Sequence, residues 1–172
     1  MTINDAYNAV MNGAPDALED LIRGGLQPAI ATPKEKWNLF HMALMTPWKS
    51  PHPRMISRLI EWGVDVNAAD MYGNTPLHYA ARQSTAEAAE IVELLLRAGA
   101  EVNILNRDTV SPLRQSLAGV PHNLGAVRAL LEAGADMDQK VSGGRSVREV
   151  VEINVRAHPE LKKLIAEFAS RH

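Results

Sequence analysis

Cysteine is absent from the chain, which excludes disulfides, a thiolate nucleophile and a cysteine-ligated metal, and suits a reducing compartment. Aromatic residues are scarce, at 5%, which argues against a sheet core, where aromatic and β-branched side chains collect. No stretch gathers charge of one sign, and 18 basic against 20 acidic residues leave a net charge of −2. The basic face of a nucleic-acid reader is therefore missing. No apolar run nears the roughly 18 residues needed to span a bilayer. The start, Met1-Thr2-Ile3-Asn4-Asp5, is polar and acidic and lacks the basic-then-apolar order of a secretion signal. These absences lead to the expectation of a soluble, cytoplasmic protein that binds neither membrane nor nucleic acid.

What is present is 172 residues, 46% of them hydrophobic and 22% charged, enough for one domain with a sizeable core. Alanine and leucine predominate among the apolar residues, which favours closely packed helices. A repeat then emerges. Asp70-Met71-Tyr72-Gly73-Asn74-Thr75-Pro76-Leu77-His78-Tyr79-Ala80-Ala81 is followed by Ile91-Val92-Glu93-Leu94-Leu95-Leu96-Arg97-Ala98-Gly99-Ala100. Upstream, Asn38-Leu39-Phe40-His41-Met42-Ala43-Leu44 and Ile56 to Asn67 run parallel to it, and downstream Ser111-Pro112-Leu113 and Val127 to Asp136 do the same. Gly63, Gly99 and Gly134 stand 36 and 35 residues apart.

Thr75 and Ser111 are good helix N-caps, and Pro76 and Pro112 suit the first helical position. Leu77, Ala80 and Ala81 recur at helical spacing, as do Ile91, Val92, Leu94 and Leu95 on the second helix. Gly63, Gly99 and Gly134 end the second helices as left-handed glycines would. One helix pair cannot hide both its faces, so neighbours must stack.

The segment Gly73-Asn74-Thr75-Pro76-Leu77-His78-Tyr79-Ala80-Ala81 resembles the hallmark of the ankyrin repeat, whose period is about 33. The resemblance implies an all-α, curved solenoid of about five helix-turn-helix repeats with hairpin-like connections and a concave face, forming a single domain over 1–172. Its expected divisions are an N-terminal capping repeat at 3–32, repeats at 33–69, 70–105 and 106–140, and a C-terminal capping repeat at 141–172. The end repeats match weakly, as expected where one face meets water. The surplus over the family period falls between the two helices, at about 45–54, 82–88 and 118–125. Such insertions are either part of a binding face or drift in a tolerant loop.

Little in the chain carries chemistry. The six histidines, His41, His52, His78, His122, His158 and His172, include no pair at the helical spacing of a zinc site. His41 and His78 occupy the family's histidine position, where the resemblance implies that the ring supports the turn by hydrogen bonding. Gly143-Gly144-Arg145-Ser146 lacks the frame of a phosphate loop, and no nucleophile elbow is present. Asp65, Asp70 and Asp136 recur with the repeat, which points to turn and capping duty. No enzyme activity, catalytic residue, metal or cofactor is expected.

The resemblance places partner contacts at the hairpin tips and at the exposed ends of the first helices. These positions are Lys34, Glu35, Trp37, Met45 and Thr46 in the first central repeat. In the next they are Met71, Tyr72, Asn74, Arg82 and Gln83, and in the third Arg107, Asp108, Val110 and Ala118. Trp37 and Tyr72 are either a binding patch, because large aromatics supply energy when a partner covers them, or side chains that close the stack. Trp48, in the proline-stiffened Thr46-Pro47-Trp48-Lys49-Ser50-Pro51-His52-Pro53, is either a contact or a local plug. Trp62 is expected to pack between repeats. Arg114 replaces the motif histidine and Thr109 the turn glycine, through a tolerated local cost or adaptation of the groove to a ligand.

The expected activity is therefore binding itself: a monomer that holds, and inhibits or sequesters, another protein. The Lys36-Trp37-Asn38-Leu39-Phe40-His41-Met42-Ala43-Leu44 opening resembles bacterial immunity-type ankyrin proteins, which implies a cognate toxin as partner. A generic regulatory or scaffold adaptor is the alternative, and an enzyme on an ankyrin scaffold a remote one.

Overall fold

A computed structural model describes residues 2–45, 52–118, 122–140, 144–153 and 159–170. It is all-α. Ten helices occur among the described residues, and no strand. They run α1 (Ile3–Met11), α2 (Pro15–Arg23), α3 (Leu39–Leu44), α4 (Pro53–Glu61), α5 (Pro76–Ala81), α6 (Ala88–Arg97), α7 (Pro112–Gln115), α8 (Leu124–Glu132), α9 (Val147–Ile153) and α10 (Pro159–Ala169).

Successive helices pair, and the pairs stack in two layers. The first helices α1, α3, α5 and α7 pack on one another in order, and the second helices α2, α4, α6, α8 and α10 do the same. The first helices are short. α3 and α5 have six residues each, and all twelve of these are buried. Isolated helices of this length do not persist in water, so the neighbouring pairs hold them. Phe40, Leu77 and Leu113 hold the same place in successive first helices and are each fully buried.

The expected start and stop devices are present. Asn38, Thr75 and Ser111 are extended N-caps, with Pro76 and Pro112 in the first helical turn. Gly63, Gly99 and Gly134 take φ of 72°, 93° and 86° just past the second helices, a region open to glycine at little cost. Of the expected insertions, 82–88 is described throughout and runs from the end of α5 into α6, whereas most of 45–54 and part of 118–125 lie outside the described residues. The second insertion is tied on both sides: the Gln83 Nε2 donates to the Leu44 carbonyl at 2.6 Å, and the Thr85 carbonyl accepts from Asn123 Nδ2 at 2.7 Å.

Two polar ladders fix the distance between pairs. His41 Nε2 lies 2.9 Å from the Asn74 carbonyl, and His78 Nε2 lies 2.9 Å from the Val110 carbonyl. On the other side of the ring, the Thr75 N–H donates to His78 Nδ1 at 3.1 Å, so the Nε2 carries the proton. Burial holds both imidazoles below the ordinary histidine range. Farther along the chain, Asn67 Nδ2 donates to the Gly99 carbonyl and its Oδ1 accepts from the Glu101 N–H, both at 2.9 Å. Asn103 repeats this with the Gly134 carbonyl at 3.0 Å and the Asp136 N–H at 2.8 Å.

Candidate functional site

The connections from α2 to α3, from α4 to α5 and from α6 to α7 end in turns that are joined edge to edge. The Met71 N–H donates to the Glu35 carbonyl and the Arg107 N–H to the Tyr72 carbonyl, both at 2.9 Å. Each turn is closed internally. The Thr32 N–H meets the Trp37 carbonyl at 2.9 Å, the Asp70 N–H the Asn74 carbonyl at 2.9 Å, and the Asn106 N–H the Val110 carbonyl at 3.1 Å. In the second and third turns a side chain organises the tip. Asp70 Oδ1 accepts from the Tyr72 and Asn74 N–H groups at 2.8 Å each. Asn106 Oδ1 accepts from Asp108 at 3.0 Å and from Val110 at 2.9 Å. The recurrent carboxylates are thus turn formers, as their spacing predicts; Asp65 and Asp136 each cap the N–H two residues on.

The apices differ in backbone strain. Gly73 has φ 80°, whereas Lys36 and Thr109, at the matching positions, have φ 59°. A side chain in the left-handed region costs about 1–2 kcal/mol.

Behind the tips, Tyr79 of α5 ties its helix to the turn that precedes it. Its hydroxyl donates to Asp70 Oδ2 at 2.8 Å, and the Trp37 indole lies beside it. Burial, and then the bond to Asp70, push the phenol up to about 12. The Arg82 guanidinium sits 4.6 Å from the Tyr79 ring centre, in cation–π range. Asn74, His78, Tyr79, Arg82, Asn106, Asp108 and Gln115 line a polar cleft of about 160 Å³.

The structure sorts the sequence-predicted contacts. Lys34, Tyr72, Arg107 and Asp108 are exposed on the tips, and Tyr72 retains 55% of its surface. Glu35, Met45, Met71, Asn74, Arg82 and Val110 are half-buried. Trp37 is half-buried and packs against the core, the contact that its stack-closing reading calls for. Gln83 departs from expectation. It is 3% exposed and spends its amide on Leu44, which makes it a link between repeats. Thr46 and Trp48 lie outside the described residues. Trp62 packs against the core as expected, with the Arg58 guanidinium 6.0 Å from its ring centre. Sequence reasoning missed Tyr79 and Gln115. Tyr79 sits in the motif between His78 and Ala80, where nothing in the spacing marks its bond to Asp70. Among the described residues no three histidine or carboxylate side chains are arranged to hold a metal ion, and no helix is long and apolar enough to cross a membrane.

A family model of three ankyrin repeats matches residues 6–106. The chain belongs to the ankyrin-repeat family. The match begins within α1, so it takes in the N-terminal pair that the sequence pattern renders only weakly. It stops at Asn106, before the repeat in which Thr109 and Arg114 replace the motif's glycine and histidine. Similar proteins include an ankyrin repeat protein of fowlpox virus, 30% identical over 74% of this chain and 16% of its own length. The human ankyrin repeat and SOCS box protein 6 is 30% identical over 78% of this chain and 32% of its own. The human neurogenic locus notch homolog protein 4 is 32% identical over 72% of this chain and 6% of its own. The chain thus spans a third or less of these relatives. Ankyrin repeats are binding scaffolds, which makes this chain a protein-interaction module.

Proposed function

We propose that the joined hairpin tips receive a partner protein, and that occupying this surface sequesters or inhibits the partner without chemistry by this chain. One observation carries the reading: Tyr72 is 55% exposed on a turn hydrogen-bonded to both neighbouring turns. An aromatic held on a rigid ledge loses little entropy when covered. The proposal includes five repeats divided at about 32, 69, 105 and 140, a monomeric free chain, and an encounter in the cytoplasm. The narrower reading of an immunity protein against a bacterial toxin gains no support from the relatives reported above, which are viral and human. A regulatory or scaffold role is the alternative reading.

The test is selection of binding proteins from a host library, followed by footprinting on the full chain. Changing Tyr72 to alanine should weaken a genuine partner by about 2 kcal/mol and leave the helical signal unchanged. Partners that footprint on the outer, second-helix layer and ignore Tyr72 would overturn the proposal.

A further inference from the structure

Charge is distributed unequally between the two sides of the solenoid. In the second-helix layer every arginine of α2, α4, α6 and α8 has a carboxylate partner. Arg23 meets Glu19 at 2.6 Å, Arg54 meets Asp16 at 3.3 Å, and Arg58 meets Glu19 at 2.9 Å and Glu61 at 2.8 Å. Arg97 meets Glu93 at 2.7 Å, and Arg128 lies 3.5 Å from Glu167. These pairs neutralise α2, α4, α6 and α8 from within, whereas Lys162 and Lys163 of α10 lie within ion-pair distance of no carboxylate among the described residues.

On the tips and the cleft beneath them this pairing stops. Among the described residues, no carboxylate lies within ion-pair distance of Lys34, Lys36, Arg82 or Arg107. Lys34, Lys36 and Arg107 are exposed. The only carboxylates on the same turns are Glu35 and Asp108, besides the buried Asp70, which is occupied by backbone N–H groups and the Tyr79 hydroxyl. The bonds from Met71 to Glu35 and from Arg107 to Tyr72 set these cations on either side of Tyr72. Lys36, moreover, stands at φ 59°, where glycine would fold at lower cost.

Resting on the binding role proposed above, we infer that the partner segment is acidic, with an apolar group that covers Tyr72 and carboxylates that meet Lys34, Lys36 and Arg107. The Arg82 guanidinium, supported on the Tyr79 ring, receives a further carboxylate in the cleft. A protein segment suits this surface better than a nucleic acid. The cations are interrupted by Glu35 and Asp108, and an exposed tyrosine lies at their centre, whereas a phosphate backbone calls for a continuous basic track.

The test is an amide NMR titration of the full chain with three probes: a short Glu/Asp peptide with a central leucine pair, its Lys/Arg counterpart, and an oligothymidine. The acidic peptide should shift the signals of 34–37, 71–74, 82 and 107–110. Its affinity should fall at least about tenfold in the charge-reversed variant Lys34→Glu, Lys36→Glu, Arg107→Glu, and fall likewise in about 0.5 M salt. The glutamine variants at the same positions should weaken it less, and keep the inference testable if the reversed chain does not fold. Equal binding of both peptides, or shifts confined to other surfaces, would overturn it. So would an oligothymidine that occupies the tips while the acidic peptide is silent. A partner that docks on the tips through a neutral or basic face would sink this inference alone. A partner that avoids the tips would sink the binding proposal as well.

Discussion

The Tyr79 hydroxyl donates to Asp70 Oδ2 at 2.8 Å, and so joins a first helix to the turn that precedes it. The other oxygen of the same carboxylate holds the Tyr72 and Asn74 N–H groups. The exposed tip residue and the buried phenol therefore share one anion. Changing Tyr79 to phenylalanine should cost about 1–3 kcal/mol in urea unfolding and broaden the Tyr72 amide signal. The folded phenol is raised to about 12 from an ordinary 10.0. The stability it contributes is complete below about pH 10 and is lost as pH rises towards 12. The gap between wild type and variant should close over that interval.

The two buried histidines set the opposite pH limit. Burial lowers both imidazoles below 6.5, so the folded state favours the neutral ring. Their contribution is present above the unfolded value near 6.5 and is eroded as pH falls below it. The wild type should lose stability as pH falls below about 6.5. The variant His41→Gln, His78→Gln should start about 2 kcal/mol or more lower and lose less over the same interval, as read by urea midpoints. An equal loss in both proteins would contradict the assignment.

The apex residues predict changes of opposite sign. Lys36→Gly should raise stability by about 0.5 kcal/mol, because relief of the left-handed cost exceeds the extra freedom of the unfolded chain. It should at the same time weaken the acidic peptide. Gly73→Ala should lose about 1–3 kcal/mol, since φ is 80° and an added Cβ would meet the Arg107 nitrogen at 3.0 Å. Thermal melts of the two variants decide both.

Trp37 and Tyr72 should separate in an alanine scan. Trp37→Ala removes packing against the core and should lower stability by about 2 kcal/mol. Tyr72→Ala, on an exposed tip, should shift stability by no more than about 0.5 kcal/mol while weakening the partner. Equal stability effects would show that the tip is not free.

By itself the sequence determined the helix pairs, their order and where they break. These depend on short-range devices: the caps at Thr75 and Ser111, the prolines behind them, and the glycines at 63, 99 and 134. Each acts within one turn and needs no distant residue, so the ankyrin pattern is legible in the string. The tertiary structure alone decided which of the hallmark's neighbours stay exposed. Trp37 and Gln83 occupy positions that the family pattern marks as contacts, yet one packs on the core and the other donates to Leu44 across repeats. Tyr79 carries no signal in the string for its contacts with Asp70 and Arg82, which the fold of its own repeat brings about. Side-chain exposure and the pairing of charges depend on what the neighbouring repeat presents about 36 residues away, and spacing along the chain carries no record of that.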